Sequence, residues 1–162
     1  MILYHGTNLK IDKIDLGLGH RGKDFGQGFY LSVDKQQAML MAERTVEREG
    51  CGKPVVNAYW FDETNLDQNP DLRVKVFDNY TIEWAEFILL NRSNRTATPV
   101  HNYDIVYGPI ADDKVGVQIN RYKLRYIPIE ELIRQLKFLR PTFQYYFGTE
   151  KALTYLKPIN NE

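Results

Sequence analysis

Short runs of apolar residues, each bounded by turn-forming residues, recur from one end of the chain to the other. Aromatic and β-branched runs of this kind predict strands. The predicted strands cover residues 2–4, 28–31, 55–61, 72–77, 103–107 and 142–147. Because strands and helices alternate too irregularly for a series of parallel βαβ units, the pattern indicates a mixed α+β fold.

Apolar residues at helical spacing predict four helices between and after these strands. Asp34 with Gln37 resembles a capping box at the start of the first helix, and Gly50 suits a left-handed cap at its end. The second helix is predicted to begin at Thr81 and the third near Pro128, and a last helix is predicted from Thr149 to Leu156.

The composition of the chain argues against several classes of protein. A chain of 162 residues that is 43% hydrophobic fits one domain, 1–162, with a buried core. Its longest apolar run has five residues, at 38–42, so we expect no membrane span, and nothing at the N-terminus resembles a signal peptide. The single cysteine, Cys51, fits a reducing cytosol, so we expect a cytoplasmic protein. The net charge of +0 argues against a strongly basic nucleic-acid binder.

Neither the cysteine nor the histidines stand at a spacing typical of metal ligands, so no metal site is predicted. Residues 17–22 satisfy the pattern G-x-G-x-x-G. A dinucleotide-binding fold needs that pattern between a strand and a helix, whereas a glycine-rich, strand-like stretch follows here. The sequence therefore argues against a Rossmann fold.

The candidate chemistry lies in residues 4–30, where His5 ends a short predicted strand and Tyr30 leaves a second one as a helix begins. Gly6 offers open backbone N–H and C=O groups, and Thr7 offers a hydroxyl. An aromatic ring, a backbone amide pair and an imidazole together suit a nicotinamide riboside. Ordinary packing of a histidine and a tyrosine remains the alternative.

These residues resemble a known family. His5-Gly6-Thr7, followed by residues 26–30 (Gly-Gln-Gly-Phe-Tyr), a helix and the strand 55–61, is similar to the H-Y-E branch of the ADP-ribosyltransferase superfamily, which includes diphtheria toxin and the poly(ADP-ribose) polymerases. With the motifs at 103–106, 108–113 and 144–156, the whole chain resembles a bacterial family of short transferase-like proteins. The resemblance implies split, mainly antiparallel sheets with flanking helices and an NAD cleft.

The resemblance also implies roles for individual residues. His5 would bind a ribose hydroxyl of NAD, Gly6 would pair with the nicotinamide carboxamide, and Tyr30, with Phe29 beside it, would form the wall for the nicotinamide ring. Thr7 would support the strand end or the ribose. Near the second motif, His20 and Arg21 are the preferred candidates for binding the NAD phosphates, and Lys23 and Asp24 are the weaker ones.

The chain departs from the family pattern at two positions. Gln144 stands on the late strand where the family has a glutamate; its amide can accept a ribose hydroxyl but brings no negative charge. Met41, eleven residues after Tyr30, stands where a second aromatic residue is expected, and it either contacts the nicotinamide ring or belongs to the helix core.

The resemblance therefore implies mono-ADP-ribosyl transfer from NAD to a protein or nucleic-acid acceptor, with His5, Tyr30 and Gln144 as the catalytic triad. It further implies an intracellular bacterial toxin or modifier with a cognate antitoxin protein. Two other functions stay open: an NAD glycohydrolase, and an NAD-binding module that has lost its chemistry.

Two further groups are ambiguous from the sequence alone. Asp112 and Asp113 either supply the missing carboxylate or form a solvated cap. Residues 121–140 carry a local charge of +4, and the alternation of Tyr122 and Tyr126 with basic residues predicts either an exposed strand that follows a phosphate backbone or a solvated face beside a helix.

Overall fold

The computed structural model describes residues 1–159, which form seven strands and five helices. The strands are β1 (Ile2–Thr7), β2 (Phe29–Leu31), β3 (Val55–Trp60), β4 (Val74–Val76), β5 (Ile105–Pro109), β6 (Phe143–Phe147) and β7 (Lys157–Ile159). The helices are α1 (Lys35–Glu49), α2 (Ile82–Ser93), α3 (Asp113–Lys123), α4 (Ile129–Leu136) and α5 (Glu150–Leu153). Within this range no helix has the length and apolar character needed to cross a membrane.

The strands form two sheets. One has three antiparallel strands in the order β1-β3-β7. The other has four strands in the order β2-β6-β5-β4, antiparallel except for the parallel pair β4 and β5. The predicted α+β class is therefore confirmed, with antiparallel and mixed sheets and helices beside them.

The four-stranded sheet is buried on both faces because its side chains alternate between two apolar clusters. Tyr145 and Phe147 of β6 pack with Leu3 of the three-stranded sheet. Tyr146, between them, packs on the opposite side with Trp84 and other side chains of α2, α3 and α4. The three-stranded sheet thus covers one face, and these helices cover the other.

Most predicted helix boundaries are confirmed by the capping contacts. The Thr81 hydroxyl accepts the N–H of Trp84 at 3.1 Å, and Gly50 ends α1 with a φ of 68°. The capping box at Asp34 is wrong in its second half. Asp34 accepts the N–H of Gln36 at 2.8 Å, but the Gln37 side chain turns away and accepts the hydroxyl of Ser32. The last helix also ends earlier than predicted, at Leu153.

Helix α3 was missed, and of the two alternatives for the basic stretch that begins at Arg121 the exposed strand is wrong, since this stretch starts in the last turn of α3. Asp112 caps α3 by accepting the N–H groups of Lys114 and Val115, both at 3.1 Å. Val115 and Ile119, one helical turn apart, are buried against the core. This four-residue spacing decides the local structure, because burial of one helix face outweighs the alternation of tyrosine and basic residues.

The first and last strands differ from the prediction as well. β1 continues to Thr7 because its residues pair with β3 over the whole length, so His5 lies inside the strand rather than at its end. β7 was not predicted, since it is only three residues long and forms at the edge beside β3.

Asp104 serves the fold rather than the cleft. Its buried carboxylate accepts the backbone N–H of Arg73 at 2.8 Å, the Arg73 guanidinium at 3.2 Å and the Thr149 hydroxyl at 2.8 Å. Burial raises its pKa, but these hydrogen bonds outweigh burial and lower the pKa to about 2. The carboxylate therefore ties the start of β5 to the start of α5.

Candidate functional site

A cleft of about 660 Å³ opens beside the junction of the two sheets. Its size falls within the range of small-molecule sites. Eight of the nine predicted site residues line it: His5, Gly6, Thr7, His20, Phe29, Tyr30, Met41 and Gln144. The fold therefore brings together side chains that are up to 139 positions apart in the sequence, from β1, the glycine-rich loop, β2, α1 and β6.

The cleft begins where β1 and β2 stop pairing. The backbones of Tyr4 and Ser32 exchange two hydrogen bonds, at 2.7 and 2.9 Å. If this pairing continued in the same register, Gly6 would pair with Tyr30. Instead, the imidazole of His5 forms a hydrogen bond with the Tyr30 carbonyl, at 2.7 Å. Because hydrogen-bonding direction alternates along a strand, the N–H and C=O of Gly6 point to the same side as those of Tyr4. Among the described residues they have no partner there, so they face the opening.

The His5 ring is held in one orientation and one protonation state. The Tyr30 carbonyl can only accept, so Nδ1 of His5 carries the proton and Nε2 keeps its lone pair. The ring stacks on Phe29, with centroids 4.2 Å apart. Burial lowers the pKa of His5; the hydrogen bond to Tyr30 opposes this effect and Lys23 adds to it. His5 thus presents a neutral acceptor.

The two buried histidines predict a pH-dependent stability. Burial also lowers the pKa of His101, whose Nε2 donates to the Phe25 carbonyl at 2.7 Å while Nδ1 accepts the N–H of Tyr103. Since the unfolded chain binds protons near the ordinary pKa of 6.5 and the folded chain only at lower pH, the neutral rings stabilise the fold above pH 6.5. We expect the free energy of unfolding, measured with urea, to fall as the pH is lowered from about 7 to 5.

A double variant, H5N with H101N, supplies the control for this prediction. It lacks both imidazoles, so its unfolding free energy should depend less steeply on pH in this interval. If the unfolding free energy of the parent protein and of the variant depends equally on pH, the two rings do not cause the loss of stability at low pH.

The Tyr30 ring forms one wall of the cleft and is fixed from behind. Its hydroxyl donates to the Gly26 carbonyl at 2.7 Å and accepts the N–H of Phe25 at 3.0 Å. The ring meets the edge of Tyr146 at 5.4 Å between centroids. The ammonium of Lys23 lies 5.4 Å from the Tyr30 centroid. This ring face therefore accommodates a cation.

Gln144 lies close to Tyr30 through the register of the sheet. Tyr30 pairs with Tyr146, so their side chains share one face, and Gln144 shares it two residues earlier in β6. Such diagonal neighbours are about 7 Å apart. Gln144 is half-buried at the wall of the cleft, where its neutral amide faces the same space as Tyr30.

Gln37 is a site residue that the sequence analysis missed, because its spacing from Asp34 indicated a cap. The Ser32 hydroxyl accepts the N–H of Asp34 at 3.0 Å and donates to Oε1 of Gln37. With Oε1 bound to Ser32, the Nε2 of Gln37 has no hydrogen-bond partner among residues 1–159, and Gln37 lines the cleft. The bond to Ser32 therefore leaves a hydrogen-bond donor available to a ligand.

Helix α1 also contributes residues one to three turns further on. Met41, Thr45 and Arg48 line the cleft at helical spacing from Gln37. Desolvation lowers the pKa of Lys23 on the opposite loop, and the nearby Arg48 lowers it further. Two cations thus share this end of the cleft with Glu49, which pairs with Arg48 at 3.0 Å and balances part of their charge.

The remaining candidates lie outside the cleft. Arg21, predicted as a phosphate contact, lines a separate smaller cavity, because the glycine-rich loop turns its side chain to the other side. Asp24 pairs with Arg92 at 3.0 Å and accepts the N–H of Ala111. Asp112 caps α3, and neither it nor Asp113 lines the cleft.

Comparison with known proteins identifies one related family. A family model described as a protein of unknown function, DUF3990, matches residues 1–157. No curated protein and no solved structure matches the chain significantly.

Proposed function

The chain belongs to the DUF3990 family of proteins of unknown function, and we propose that its cleft binds NAD and catalyses mono-ADP-ribosyl transfer to a macromolecular acceptor. The observation that carries this proposal is the separation of β1 from β2 at His5. It leaves an amide pair, an imidazole acceptor and an aromatic wall in one opening. In this proposal the separated sheets correspond to an ADP-ribosyltransferase fold.

Each of these groups matches one part of a nicotinamide riboside. A carboxamide carries one donor and one acceptor, as does the free backbone edge of Gly6. The nicotinamide ring of NAD is cationic, and an aromatic face such as that of Tyr30 attracts a cation. Nε2 of His5 can accept one ribose hydroxyl, and the amide of Gln144 can bind another.

Lys23 and Arg48 are the proposed contacts for the pyrophosphate. Both are cleft residues, and the lowered pKa of Lys23 reflects, after desolvation, its repulsion from Arg48. A pyrophosphate between them would relieve that repulsion. This assignment replaces Arg21, which lies outside the cleft.

The reaction breaks the bond between the nicotinamide nitrogen and the ribose carbon, and the bonding electron pair leaves with neutral nicotinamide. A nucleophile on the acceptor gives its lone pair to that carbon and releases its proton to solvent. Positive charge develops on the ribose in the transition state, so the protein contributes mainly orientation and electrostatic stabilisation. Orientation comes from His5, Gly6 and Tyr30, which are held by backbone contacts.

Incubation of the purified protein with radiolabelled NAD and a bacterial lysate tests the proposal. We expect nicotinamide release together with label on a macromolecule, which protease or nuclease treatment then assigns to protein or nucleic acid. Y30A should bind NAD about tenfold more weakly, since ring stacking contributes about 1–3 kcal/mol. Y122A, which alters a tyrosine of α3 outside the cleft, is the matched control.

The same experiment separates the alternative functions. Nicotinamide release without any macromolecular label would indicate a glycohydrolase or a small-molecule acceptor. A binding module is favoured by one observation, namely that Gln144 and Gln37 present amides at this wall. NAD binding without nicotinamide release would support the module. Absence of both binding and release would contradict the proposal.

The family resemblance adds to this proposal a toxic role with a neutralising protein partner. Expression of the active protein in a bacterial host should then arrest growth, and a variant without transferase activity should not. Normal growth with the demonstrably active protein would contradict the toxic role.

A further inference from the structure

A second, smaller cavity of about 230 Å³ lies on the other side of the glycine-rich loop. Gly26 and Gln27 line this cavity, whereas Gly28 and Tyr30 line the cleft. Tyr146 forms part of its wall, and its hydroxyl donates to the Gln27 carbonyl at 3.2 Å. The two spaces are therefore neighbours with different lining residues, and the proposed function uses only the cleft.

Asn91 provides a hydrogen-bond acceptor at this cavity. The residue is only 2% exposed. Its Nδ2 donates to the Phe87 carbonyl at 2.8 Å, one turn earlier in α2. Its Oδ1 has no hydrogen-bond partner among residues 1–159 and lies on the side of Gly26, a cavity residue. Because this oxygen is accessible from the cavity and no donor among the described residues binds it, it can accept a hydrogen bond from a ligand.

The charge of the cavity is positive. The guanidinium of Arg21 lines it, and that of Arg95 packs against Gly22 at its edge. Within the described residues neither arginine forms an ion pair, and no carboxylate lines the cavity. This combination favours an anionic group on the ligand and disfavours an ammonium.

Planar apolar surface completes the site. The rings of Tyr146 and His101 stand 5.6 Å apart between centroids, at 70°, and both line the cavity together with Pro99. Both nitrogens of His101 are already bound, to Phe25 and Tyr103, so the ring offers a surface rather than a charge.

We propose that this second cavity binds a nucleotide, with the base against Tyr146 and His101, an N–H of the base on Asn91 Oδ1, and the phosphate on Arg21 and Arg95. A base supplies the neutral donor and the flat ring, and a phosphate supplies the anion that two guanidinium groups bind best. The nucleotide is either free or the end of a single-stranded nucleic acid, and both sources present the same groups. This site does not depend on the activity proposed for the cleft.

Isothermal titration calorimetry of the full chain tests the proposal, with AMP, GMP, CMP and UMP as probes. Ribose 5-phosphate and a five-nucleotide single-stranded RNA are the comparison ligands. We expect at least one mononucleotide to bind, and ribose 5-phosphate to bind more weakly because it lacks the base. Tighter binding of the RNA than of any mononucleotide would identify a nucleic-acid end as the source. Absence of binding by all of these nucleotides, or equal binding of ribose 5-phosphate, would overturn the proposal.

Variants place any observed binding in one of the two spaces. R21Q alters an exposed side chain and should weaken nucleotide binding about tenfold, as expected for loss of a charged hydrogen bond. N91L, checked for folding by circular dichroism, should weaken it similarly. R121Q changes a cation of α3 that lines neither space and should leave nucleotide affinity unchanged. R48Q changes a cation of the cleft and tests whether binding occurs there instead. Nucleotide binding that responds to R48Q but not to R21Q and N91L would assign it to the cleft and contradict the proposal.

Discussion

Replacement of Gly6 by alanine is expected to destabilise the protein by about 3 kcal/mol or to prevent folding. A Cβ added at Gly6 would lie 1.7 Å from the carbonyl oxygen of Ala38 and 2.9 Å from the backbone nitrogen of Ala42. Both atoms belong to the backbone of α1, so no side-chain rotation can relieve the overlap. The whole helix would have to move away from β1, and urea denaturation followed by circular dichroism measures the cost.

Gly116, which lies on α3, provides a matched control for the substitution of Gly6. A Cβ added there meets nothing within 4 Å. Because alanine favours the helix over glycine, G116A should stabilise α3 by up to about 1 kcal/mol. If G6A instead unfolds at the same urea concentration as the parent protein, close packing of α1 on β1 is not what requires glycine at this position.

The Gly6 contact also shows that this glycine has two separate roles, one in helix packing and one in the cleft. The missing side chain lets α1 approach β1, and this approach brings Gln37 and Met41 to the cleft. The backbone amide and carbonyl of the same residue face the opening, since β2 diverges there. Glycine at this position therefore serves packing even if the cleft binds no NAD.

Helix caps and aromatic runs are local sequence signals, and the elements that depend on them were predicted from the sequence. Thr81 and Thr149 cap helices because a hydroxyl at the first position accepts an N–H three residues later, and this spacing is readable in the sequence. The strand bearing Tyr145 and Phe147 was predicted from its aromatic run. Of the eight predicted residues that line the cleft, His5, Gly6, Thr7 and Tyr30 were chosen from short motifs at the ends of such elements, whereas Met41 and Gln144 were assigned from the family resemblance.

Contacts between distant segments account for what the sequence could not predict. Gln37 was assigned to a cap because the competing partner, Ser32, becomes available only when the end of β2 is positioned by Tyr4. Arg21 was assigned to the cleft because a glycine-rich loop gives no information about which side a side chain takes. β7 forms only because β3 offers a free edge.

Gln144 carries the largest expected effect on the proposed activity. In the proposed transition state positive charge develops on the ribose, and a preorganised group of opposite charge can change the rate about 10²-fold. The Gln144 amide lacks that charge, so Q144E should increase nicotinamide release by roughly this factor, whereas Q144A should decrease turnover and leave the affinity for NAD nearly unchanged. Single-turnover nicotinamide release and NAD titration measure the two quantities separately.

The position of Gln144 makes this test specific. It shares a sheet face with Tyr30, so an introduced carboxylate would lie at the same wall of the cleft. Q118E makes the same charge change on α3, away from the cleft, and should leave the rate unchanged. Activity that appears only in Q144E would identify the parent protein as an NAD-binding module whose geometry is intact. A rate that responds to neither Q144E nor Q144A would remove this side chain from the mechanism, and the cleft would then act through His5, Gly6 and Tyr30 alone.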